Sequence, residues 1–501
     1  MDNGNICVSL FSTTAAGLLE QIRQAEPLAD IIELRCDHLG AGEAEKLLAT
    51  LPSIQGKYLF TFRPKAQGGA RELSARERTS FWEIVYRTVG DDDYLVDLEH
   101  DIRPPAGFDP DRIIASFHDF GSPDFDPAAA FDLLASTGAG IIKIAFASDE
   151  ITDTIVVTRL IGKARTTGKR IVPIAMGGAG KWTRILGLPH GAYMTYASLL
   201  GGGETAPGQI SAADLLDVYR VKELDEDTDV YGIIAGDTSY SMSPYIHNAA
   251  FAASGMNAVF VPLQVDDVGE FMRRMVNPAT RELDLNFKGF SVTNPHKRSI
   301  IGHLDKVHPD AAAIGAVNTV KIDGGELCGF NTDAEGFIKP LLDTFGSLER
   351  SRSAVVGTGG AARACVRMLK KHGSTVTVFG RDPKAAAAIG AETQTSAASL
   401  PAADFADFEI VVNATPLGTR GPFENLSIAT ADQLAGTKLI YDLTYNPAQT
   451  RLAREAAHAG VEFIGGLEML VTQAVAQFNI WTGSDAPADE MRAAVLRRLN
   501  S

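Results

Sequence analysis

The stretch IIKIAFA, at residues 141–147, is a run of apolar, largely β-branched residues that is interrupted by one charged side chain, Lys143. Continuous apolar runs of this length are typical of strands that are buried on both faces of a parallel sheet. Runs of the same kind recur through the first 200 residues, each followed by a longer segment with helical periodicity. They are ICVSLFS (6–12), IIELRCD (31–37), YLFTFRP (58–64), YLVDLE (94–99), RIIASFH (112–118), RIVPIAMG (170–177) and MTYASL (194–199).

Eight strand–helix units within about 200 residues predict an α/β fold that begins with a (β/α)8 barrel. A doubly wound open sheet is the alternative, although eight regular units favour closure. We predict that the barrel covers residues 1–222. The acidic stretch KELDEDTD (222–229) has little to bury, and its residues 223–229 are interpreted as a linker. An α/β pattern restarts at residue 230 and divides again near residue 340.

Composition excludes several classes of protein. The 501 residues are 45% apolar and 22% charged, which is ordinary for a globular chain of more than one domain. A net charge of −16 argues against nucleic acid as the main partner, although a local basic cluster can still bind a small anion. No apolar run is long enough to span a membrane, and the N-terminus lacks a secretory pattern, so we expect a cytoplasmic protein. The four cysteines have no metal-ligand spacing and are interpreted as buried hydrophobes.

Polar residues at the ends of the apolar runs predict a first active site, because catalytic groups of a barrel project from the C-terminal ends of its strands. Three arginines that meet at one mouth of an acidic protein indicate an anionic ligand, most simply a carboxylate. The candidate residues are Glu33, Arg35, Arg63, His118, Lys143, Arg184, Thr205 and Gln209.

Lys143 is the most informative of these candidates. Burial among Ile142 and Ile144 disfavours its charged form, so its amine is expected to be partly neutral and nucleophilic, as a Schiff base requires. The alternative is a structural lysine whose ammonium reaches solvent. His118 ends the neighbouring strand, within reach of a substrate on Lys143, and is the natural general acid and base there.

The motifs ELRCD, TFRPKAQGG, SFHDF, KIA and TAPGQI, spread over residues 5–215, resemble those of the type I 3-dehydroquinate dehydratases. The resemblance implies that Lys143 forms an imine with the substrate ketone, that His118 moves protons, and that the other candidates hold the carboxylate and hydroxyls. Gln67 stands where many members have a glutamate that orients the histidine, and Thr205 stands where a serine is usual. Gln67 is expected to hydrogen-bond the imidazole without stabilising its cation, which displaces the pH optimum.

A glycine-rich turn predicts a nucleotide site in the second half. VVGTGGAARA (355–364) follows an apolar run and opens a helix, so backbone N–H groups at this turn can approach a diphosphate. At the end of the next strand, STVTVFG, where an NAD site usually has an acid, Gly380 is followed by Arg381, and this cation favours NADP. Asp382 is the competing acid, and Gly380 precedes the arginine. The predicted cofactor residues are Gly357, Gly359, Gly360, Ala361, Arg381 and Thr415.

Lys297, in GFSVTNPHK, and Asp333, in GFNTDAEG, can shuttle a proton to or from a substrate hydroxyl, but on spacing alone a surface ion pair is equally possible. These motifs, together with GDTSYSMSPYIHNAAF, GAVNTV, GTGGAARA, NATPLGT, YDLTYNP and GLEMLVTQA, resemble the shikimate dehydrogenase family over residues 230–500. The resemblance implies that Lys297 and Asp333 form the catalytic pair. It also implies a substrate set of Ser241, Ser243, Thr293, Asn318, Asp333, Tyr445 and Gln473.

The same resemblance implies a substrate-binding domain at 230–339 and 472–501, and a Rossmann domain for NADP at 340–471. Ser291 replaces an asparagine that is common in bacterial members, and Gly380 replaces another. His247 has no acid or base partner in the sequence and is interpreted as a structural residue.

Together the two resemblances imply a bifunctional enzyme with small-molecule substrates, in which 3-dehydroquinate is dehydrated and 3-dehydroshikimate is then reduced with NADPH. The alternative is a catabolic dehydrogenase half that oxidises quinate or shikimate with NAD, which Ser291 favours and Arg381 opposes. A catalytically dead sensor is disfavoured, because Lys143, His118, Lys297 and Asp333 are all present. The sequence leaves the oligomeric state open.

Overall fold

The computed structural model describes residues 4–51, 57–89, 94–104, 106–199, 208–400 and 404–500. Contacts divide the chain into two compact units. The first consists of Met1–Pro244, Asn257–Phe287 and Asn294–His296, and the second of Tyr245–Met256, Lys288–Thr293 and Lys297–Ser501.

The first unit begins with alternating strands and helices. The strands are β1 (Asn5–Leu10), β2 (Ile31–Arg35), β3 (Tyr58–Thr61), β4 (Tyr94–Glu99), β5 (Ile113–Asp119), β6 (Ile141–Ala147), β7 (Arg170–Met176), β8 (Met194–Ser198) and the short β9 (Ile210–Ser211). The helices are α1 (Ala15–Ala25), α2 (Glu43–Thr50), α3 (Ala75–Val89), α4 (Pro127–Ala135), α5 (Ile155–Thr167) and α6 (Lys181–Leu186).

These strands form a closed parallel barrel, which confirms the predicted fold of the first half. The sheet order is β7-β6-β5-β4-β3-β2-β1-β8-β9, so β1 pairs with both β2 and β8. Closure on the other side comes from the segment before β8, where the Tyr193 N–H donates to the Ile171 carbonyl of β7 at 2.8 Å. Each of the eight predicted runs contains one barrel strand.

Register decides which side chains enter the barrel. Ser116 of β5 lies opposite Lys143 of β6, and His118 lies opposite Ala145. Because alternate residues of a strand share a face, Lys143 and His118 point to the same interior side. Below them the interior is filled by a buried apolar cluster that contains Cys7, Ile31, Leu59, Leu95, Ile114, Ile141, Val172 and Met194.

Several helices begin where their sequence supplies a cap. Asp126 precedes Pro127, the first residue of α4, and its carboxylate accepts from the N–H groups of Ala128 and Ala129. Thr14 caps α1 in the same way. Such caps satisfy donors that a helix start leaves unpaired.

The acidic segment that was interpreted as a linker forms turns and belongs to the first unit. Leu224 is buried, and the Asp225 carboxylate accepts hydrogen bonds from Asn257 Nδ2 at 2.9 Å and from Thr228 Oγ1 at 3.1 Å. After it come β10 (Asp229–Ala235), α7 (Ser243–Ala253), β11 (Ala258–Gln264) and α8 (Val268–Phe271), with β10 and β11 parallel.

The second unit contains four strands in the sheet order β12-β14-β15-β13, followed by a six-stranded parallel sheet in the order β18-β17-β16-β19-β20-β21. The strands are β12 (Phe287–Val292), β13 (Lys306–Val307), β14 (Thr319–Asp323), β15 (Glu326–Phe330), β16 (Arg352–Val356), β17 (Thr375–Gly380), β18 (Ser396–Ser399), β19 (Ile410–Asn413), β20 (Leu439–Asp442) and β21 (Glu462–Gly465). The helices are α9 (Pro309–Ile314), α10 (Asp333–Phe345), α11 (Gly360–Lys371), α12 (Pro383–Thr393), α13 (Arg451–Ala459), α14 (Gly466–Thr482) and α15 (Ala488–Asn500).

The six-stranded sheet is doubly wound, because successive strands leave β16 first on one side and then on the other. Ligands of such sheets bind at the carboxyl edge where the strand order reverses, which here lies between β16 and β19. The glycine turn after Val356 stands at this point. In the described part of the chain, no helix is both long and apolar enough to cross a membrane.

Candidate functional site

The C-terminal mouth of the barrel holds a cavity of about 70 Å³. It brings together every predicted residue of the first site except Thr205, which lies outside the described residues. The lining side chains are Ser9, Glu33, Arg35, Arg63, Gln67, Phe120, His118, Lys143, Ala145, Ile174, Met176, Arg184, Tyr196 and Gln209, with the backbone of Gly68.

Lys143 is 3% exposed at the base of this cavity. Its Nζ donates to Asp97 Oδ2 and to the Tyr196 hydroxyl, both at 2.8 Å, and lies 3.9 Å from Glu33. Burial lowers the pKa of the Lys143 ammonium, and Asp97 opposes only part of that effect. The side chain therefore loses its proton more readily than a surface lysine, as a nucleophilic amine must. The structural alternative, an ammonium that reaches solvent, does not fit this geometry.

His118 is also buried, and burial, reinforced by Arg63 and Lys143, lowers its pKa well below the usual value for histidine. The imidazole is therefore neutral at neutral pH and can act as a base. Among the described atoms none serves as a hydrogen-bond partner for Nδ1. Gln67 Oε1 accepts from the backbone N–H of His118 at 3.0 Å, not from the imidazole as we had expected. Gln67 thus binds the backbone at the strand end and not the imidazole.

The three arginines of the mouth are held by different elements. Arg63 Nη2 lies 2.6 Å from Asp97 Oδ2, and its Nε lies 3.5 Å from Glu99. Arg35 makes two hydrogen bonds to Asp37, at 3.0 and 2.9 Å, and one to the Gly68 carbonyl. Arg184 projects from α6. Their convergence on one small cavity suits a carboxylate ligand.

Sequence reasoning missed the carboxylates on β4. Burial alone would raise the pKa of Asp97, but Arg63 and Lys143 lower it well below its usual range, so Asp97 stays ionised between them. Burial raises the pKa of Glu99 to about 7, although Arg63 opposes the shift. The signal was present in YLVDLE, where two acids alternate with apolar residues in a strand that is buried throughout.

In the second unit Lys297 and Asp333 lie together, as predicted. Lys297 Nζ donates to Asp333 Oδ2 at 2.6 Å, and Asn318 Nδ2 donates to Asp333 Oδ1 at 2.8 Å. Both members of the pair are partly exposed, so substrate and solvent can reach them. Asp333 begins α10, where the helix dipole favours a carboxylate.

Gln477 of α14 organises the side chains behind this pair and was missed in the sequence. Its Oε1 accepts from Ser291 Oγ at 2.9 Å and lies 3.1 Å from His247 Nε2. Its Nε2 donates to the Asn318 carbonyl at 3.2 Å. Burial lowers the pKa of His247 to about 3, which agrees with a neutral, structural histidine.

The other predicted substrate residues occupy several places. Gln473 lies on α14, where its Nε2 donates to the Leu470 carbonyl. Thr293 and Tyr445 are half-buried in the segments after β12 and β20. Ser241 and Ser243 belong to the first unit, at the start of α7, and the Ser241 hydroxyl accepts the N–H of Ser243.

The glycine turn has the geometry that a dinucleotide needs. Gly357 has φ +135°, and a Cβ there would lie 2.7 Å from the Ala414 carbonyl oxygen, so only glycine fits. Around Gly359 and Gly360 a Cβ would meet nothing within 4 Å, which leaves the backbone at the start of α11 open to a phosphate. Thr415 follows β19 at the same edge, and its hydroxyl donates to Asn413 Oδ1 at 2.6 Å.

The end of β17 carries the residues that were predicted to select between the two nicotinamide cofactors. Asp382 caps α12 by accepting the Lys384 N–H, so this acid already has a structural role. Arg381 is exposed and presents the cation that suits a 2′-phosphate. A Cβ on Gly380 would lie 2.8 Å from Thr358 Cγ2. The threonine inside the glycine turn therefore leaves little room for an asparagine side chain at position 380.

Comparisons with known proteins agree with both halves. Family models match type I 3-dehydroquinase at residues 6–226, the shikimate dehydrogenase substrate binding domain at 233–320 and the shikimate 5′-dehydrogenase C-terminal domain at 466–496. The chain is 32% identical to the chloroplastic bifunctional 3-dehydroquinate dehydratase/shikimate dehydrogenase of Arabidopsis thaliana, over 97% of this chain and 83% of the relative.

Shikimate dehydrogenases (NADP(+)) match the second half. That of Methanothermobacter thermautotrophicus is 36% identical, over 54% of this chain and 98% of its own. A crystal structure of shikimate dehydrogenase in complex with NADP+ superposes with a TM-score of 0.50 at 32% identity, and covers 56% of this chain and 98% of its own. With its barrel lysine, its Lys–Asp pair and its glycine turn in place, the chain belongs to the family of bifunctional 3-dehydroquinate dehydratase/shikimate dehydrogenases.

Proposed function

We propose that the barrel dehydrates 3-dehydroquinate to 3-dehydroshikimate through an imine on Lys143, and that the second unit reduces this product to shikimate with NADPH. The observation that carries the proposal is Lys143 itself, a buried amine with a lowered pKa in one cavity with His118 and three arginines. The product of the first reaction is the substrate of the second, which gives the fusion a chemical reason.

In the dehydration, the neutral Lys143 amine attacks the substrate ketone, and loss of one water gives the imine. The protonated imine withdraws electrons and makes the adjacent C–H acidic. His118, neutral at the start, takes that proton and returns it to the hydroxyl that leaves as a second water. Hydrolysis of the imine consumes one water and releases product, so the net change is the loss of one water. Asp97 stays ionised and balances the positive charge of the protonated imine.

In the reduction, Gly357, Gly359 and Gly360 hold the diphosphate of the cofactor and Arg381 its 2′-phosphate. NADPH bound there supplies a hydride to the substrate carbonyl. Lys297 delivers a proton to the oxygen that becomes a hydroxyl, and Asp333 keeps the ammonium in place. Asn318 fixes the second oxygen of Asp333, so the pair is positioned before substrate arrives.

Trapping tests the imine directly. Borohydride added to the protein with 3-dehydroquinate is expected to reduce the imine and to leave a stable adduct on the peptide that contains Lys143, seen by mass spectrometry. Lys143→Met is expected to give no adduct. An adduct on another lysine, or none with active wild-type protein, contradicts the proposal.

The alternative of quinate or shikimate oxidation with NAD rested on Ser291. In the structure the Ser291 hydroxyl donates to Gln477, so it is engaged in the support of the site.

Arg381 favours NADP, and Arg381→Ser is expected to raise KM for NADPH at least about tenfold while KM for NADH stays unchanged. Equal effects on the two cofactors contradict this assignment.

The predicted domain boundaries belong to the same proposal. Residues 230–339 with 472–501 form the substrate-binding domain, and 340–471 form the cofactor domain. The family match to a substrate binding domain at 233–320 supports the first of these segments.

A further inference from the structure

A second cavity, larger than the one in the barrel mouth, lies in the second unit and takes no part in the chemistry above. Its volume is about 550 Å³, within the usual range for small-molecule sites. Neither Lys297 nor the glycine turn lines it. The lining residues, named here because each side of the cavity enters the argument, are His308, Asp310, Ala313, Ile314, Phe330, Asn331, Thr332, Ala334, Glu335, Ile338, Arg367, Met368, Lys371 and Ile480.

The cavity is separate from the cofactor site. Arg367, Met368 and Lys371 are on α11, and they follow its first residue, Gly360, by roughly 10 to 16 Å along the helix axis. The diphosphate binds at the beginning of that helix. A ligand of ordinary size in the cavity therefore leaves the glycine turn open.

The walls of the cavity suit a flat apolar ring. The His308 and Phe330 rings stack with centroids 5.7 Å apart and planes inclined by 29°, and they form one side. Ile314, Ile338 and Met368 supply an aliphatic surface. Aromatic faces and aliphatic side chains together bind planar ligands by dispersion and apolar burial.

The rim carries two cations, Lys371 and Arg367, and two acids, Asp310 and Glu335. Lys371 is largely exposed, and its Nζ lies 3.7 Å from Asp310. An exposed ion pair of this kind contributes little to stability and can open. Arg367 donates to the Ile314 carbonyl at 3.0 Å and to Glu392 at 2.9 Å, so its guanidinium is held at the rim. An anion entering here takes the place of Asp310 beside the mobile Lys371 ammonium and accepts from the further N–H groups of the fixed Arg367 guanidinium.

Asn331 connects the cavity to the catalytic aspartate. Its Oδ1 accepts the N–H of Asp333 at 3.1 Å, and its Nδ2 donates to the Ala316 carbonyl at 2.9 Å. Thr332, the next residue, is held by Asn318, which also binds Asp333. A ligand that presses on Asn331 or Thr332 shifts the start of α10 and with it the Asp333 carboxylate.

The position in the topology strengthens this connection. The six-stranded sheet, β16–β21, joins the preceding strands β12–β15 through α10 and the following α15 through α14. The cavity touches both helices, at Glu335 and Ile338 of α10 and at Ile480 of α14. A ligand in the cavity therefore contacts both of the helices that flank the cofactor-binding sheet.

We propose that this cavity is a regulatory site for a small aromatic carboxylate, with the ring against His308 and Phe330 and the carboxylate at Arg367 and Lys371. Binding lowers the dehydrogenase rate by displacing Asp333 through Asn331, and leaves the dehydratase rate unchanged. This goes beyond the proposed function, and its binding step does not depend on that function.

Calorimetric titration of the full chain with trans-cinnamate tests the binding. Shikimate and NADPH are present at saturation, because this pair cannot react and keeps both dehydrogenase subsites filled. One site is expected to bind. Lys371→Gln is expected to weaken it by about fivefold, the contribution of one exposed ion pair. Met368→Trp fills the cavity and is expected to abolish binding. The matched control Lys339→Gln removes an exposed lysine of α10 outside the cavity and is expected to change nothing.

Steady-state kinetics test the connection to Asp333. Trans-cinnamate is expected to lower kcat of the dehydrogenase at saturating substrate and cofactor, and Met368→Trp is expected to remove that inhibition. Absence of binding, binding that both variants retain, competition with shikimate or NADPH, or binding without an effect on kcat overturns the proposal. Failure of the proposed function is distinguishable, since it removes the enzymatic rates and leaves the titration intact.

Discussion

At the level of single residues, the barrel site depends on one carboxylate that is shared between two cations. Asp97 Oδ2 lies 2.6 Å from Arg63 and 2.8 Å from Lys143, and all three side chains are buried. The charge on Lys143 is therefore set by the balance between burial, Arg63 and Asp97, and this balance makes the amine available as a nucleophile.

Removal of that carboxylate tests the balance. Asp97→Asn leaves Arg63 and Lys143 buried together without their shared anion, so it is expected to destabilise the protein by about 3 kcal/mol. Chemical denaturation with a fluorescence readout measures the loss. Asp111→Asn removes an exposed acid near Arg170 and is expected to leave the free energy of unfolding unchanged. Equal, small effects of both substitutions contradict the shared-anion account.

The pH dependence of the dehydratase follows from His118. Its pKa in the folded protein lies below the usual histidine value of 6.5. The imidazole is therefore neutral, and able to act as a base, at any pH above 6.5. It is protonated only as the pH falls through the lowered pKa. The limb that His118 contributes to the pH profile of kcat/KM for 3-dehydroquinate is therefore expected below pH 6.5. A pH–rate profile measures it, and an acid limb above pH 6.5 assigned to His118 rules out the neutral base.

The residues that could be predicted were polar or charged side chains within or directly after apolar runs. Lys143 within IIKIAFA and His118 after an apolar run both stood out for that reason. Asp97 did not, because its role depends on strand register across the barrel, which places Thr61, Asp97 and Ile114 side by side. Gln477 was missed because a glutamine inside a helix gives no sign of the groups it contacts on other elements, which are in Ser291, His247, Asn318 and Thr319.

At the level of elements, the strand–turn–helix unit β16–α11 forms the proposed cofactor site. Gly357 adopts a backbone angle that disfavours other residues and lies against the Ala414 carbonyl. The strands themselves were predictable, since each apolar run contained one. Their closure and order came from pairings between segments far apart in sequence, and the acidic segment proved to be ordered because Asn257 binds it.

The glycine turn supplies a prediction at this scale. Gly357→Ala is expected to destabilise the protein by about 1–3 kcal/mol and to raise KM for NADPH at least tenfold, because both the φ angle and the Ala414 contact resist a Cβ. Thermal unfolding and steady-state kinetics measure the two effects. The control Gly162→Ala, in an open position on α5, is expected to stabilise by about 0.5–1 kcal/mol. Wild-type stability and KM in the Gly357 variant contradict this account.

At the level of the whole molecule, the two active sites use different residues and different chemistry. Lys297→Met is expected to lower the dehydrogenase rate by about 10²- to 10⁴-fold, the usual contribution of a positioned acid, and to leave the dehydratase rate unchanged. Separate assays with 3-dehydroshikimate and 3-dehydroquinate measure the two rates. Loss of both activities in a folded variant contradicts their independence.

The most direct test of the two-site account is NADPH consumption after addition of 3-dehydroquinate alone. The wild-type protein is expected to consume NADPH, because the barrel makes the substrate of the dehydrogenase. Lys143→Met is expected to consume none with 3-dehydroquinate, yet to consume it at the wild-type rate with 3-dehydroshikimate. NADPH consumption by Lys143→Met with 3-dehydroquinate at the wild-type rate contradicts the account.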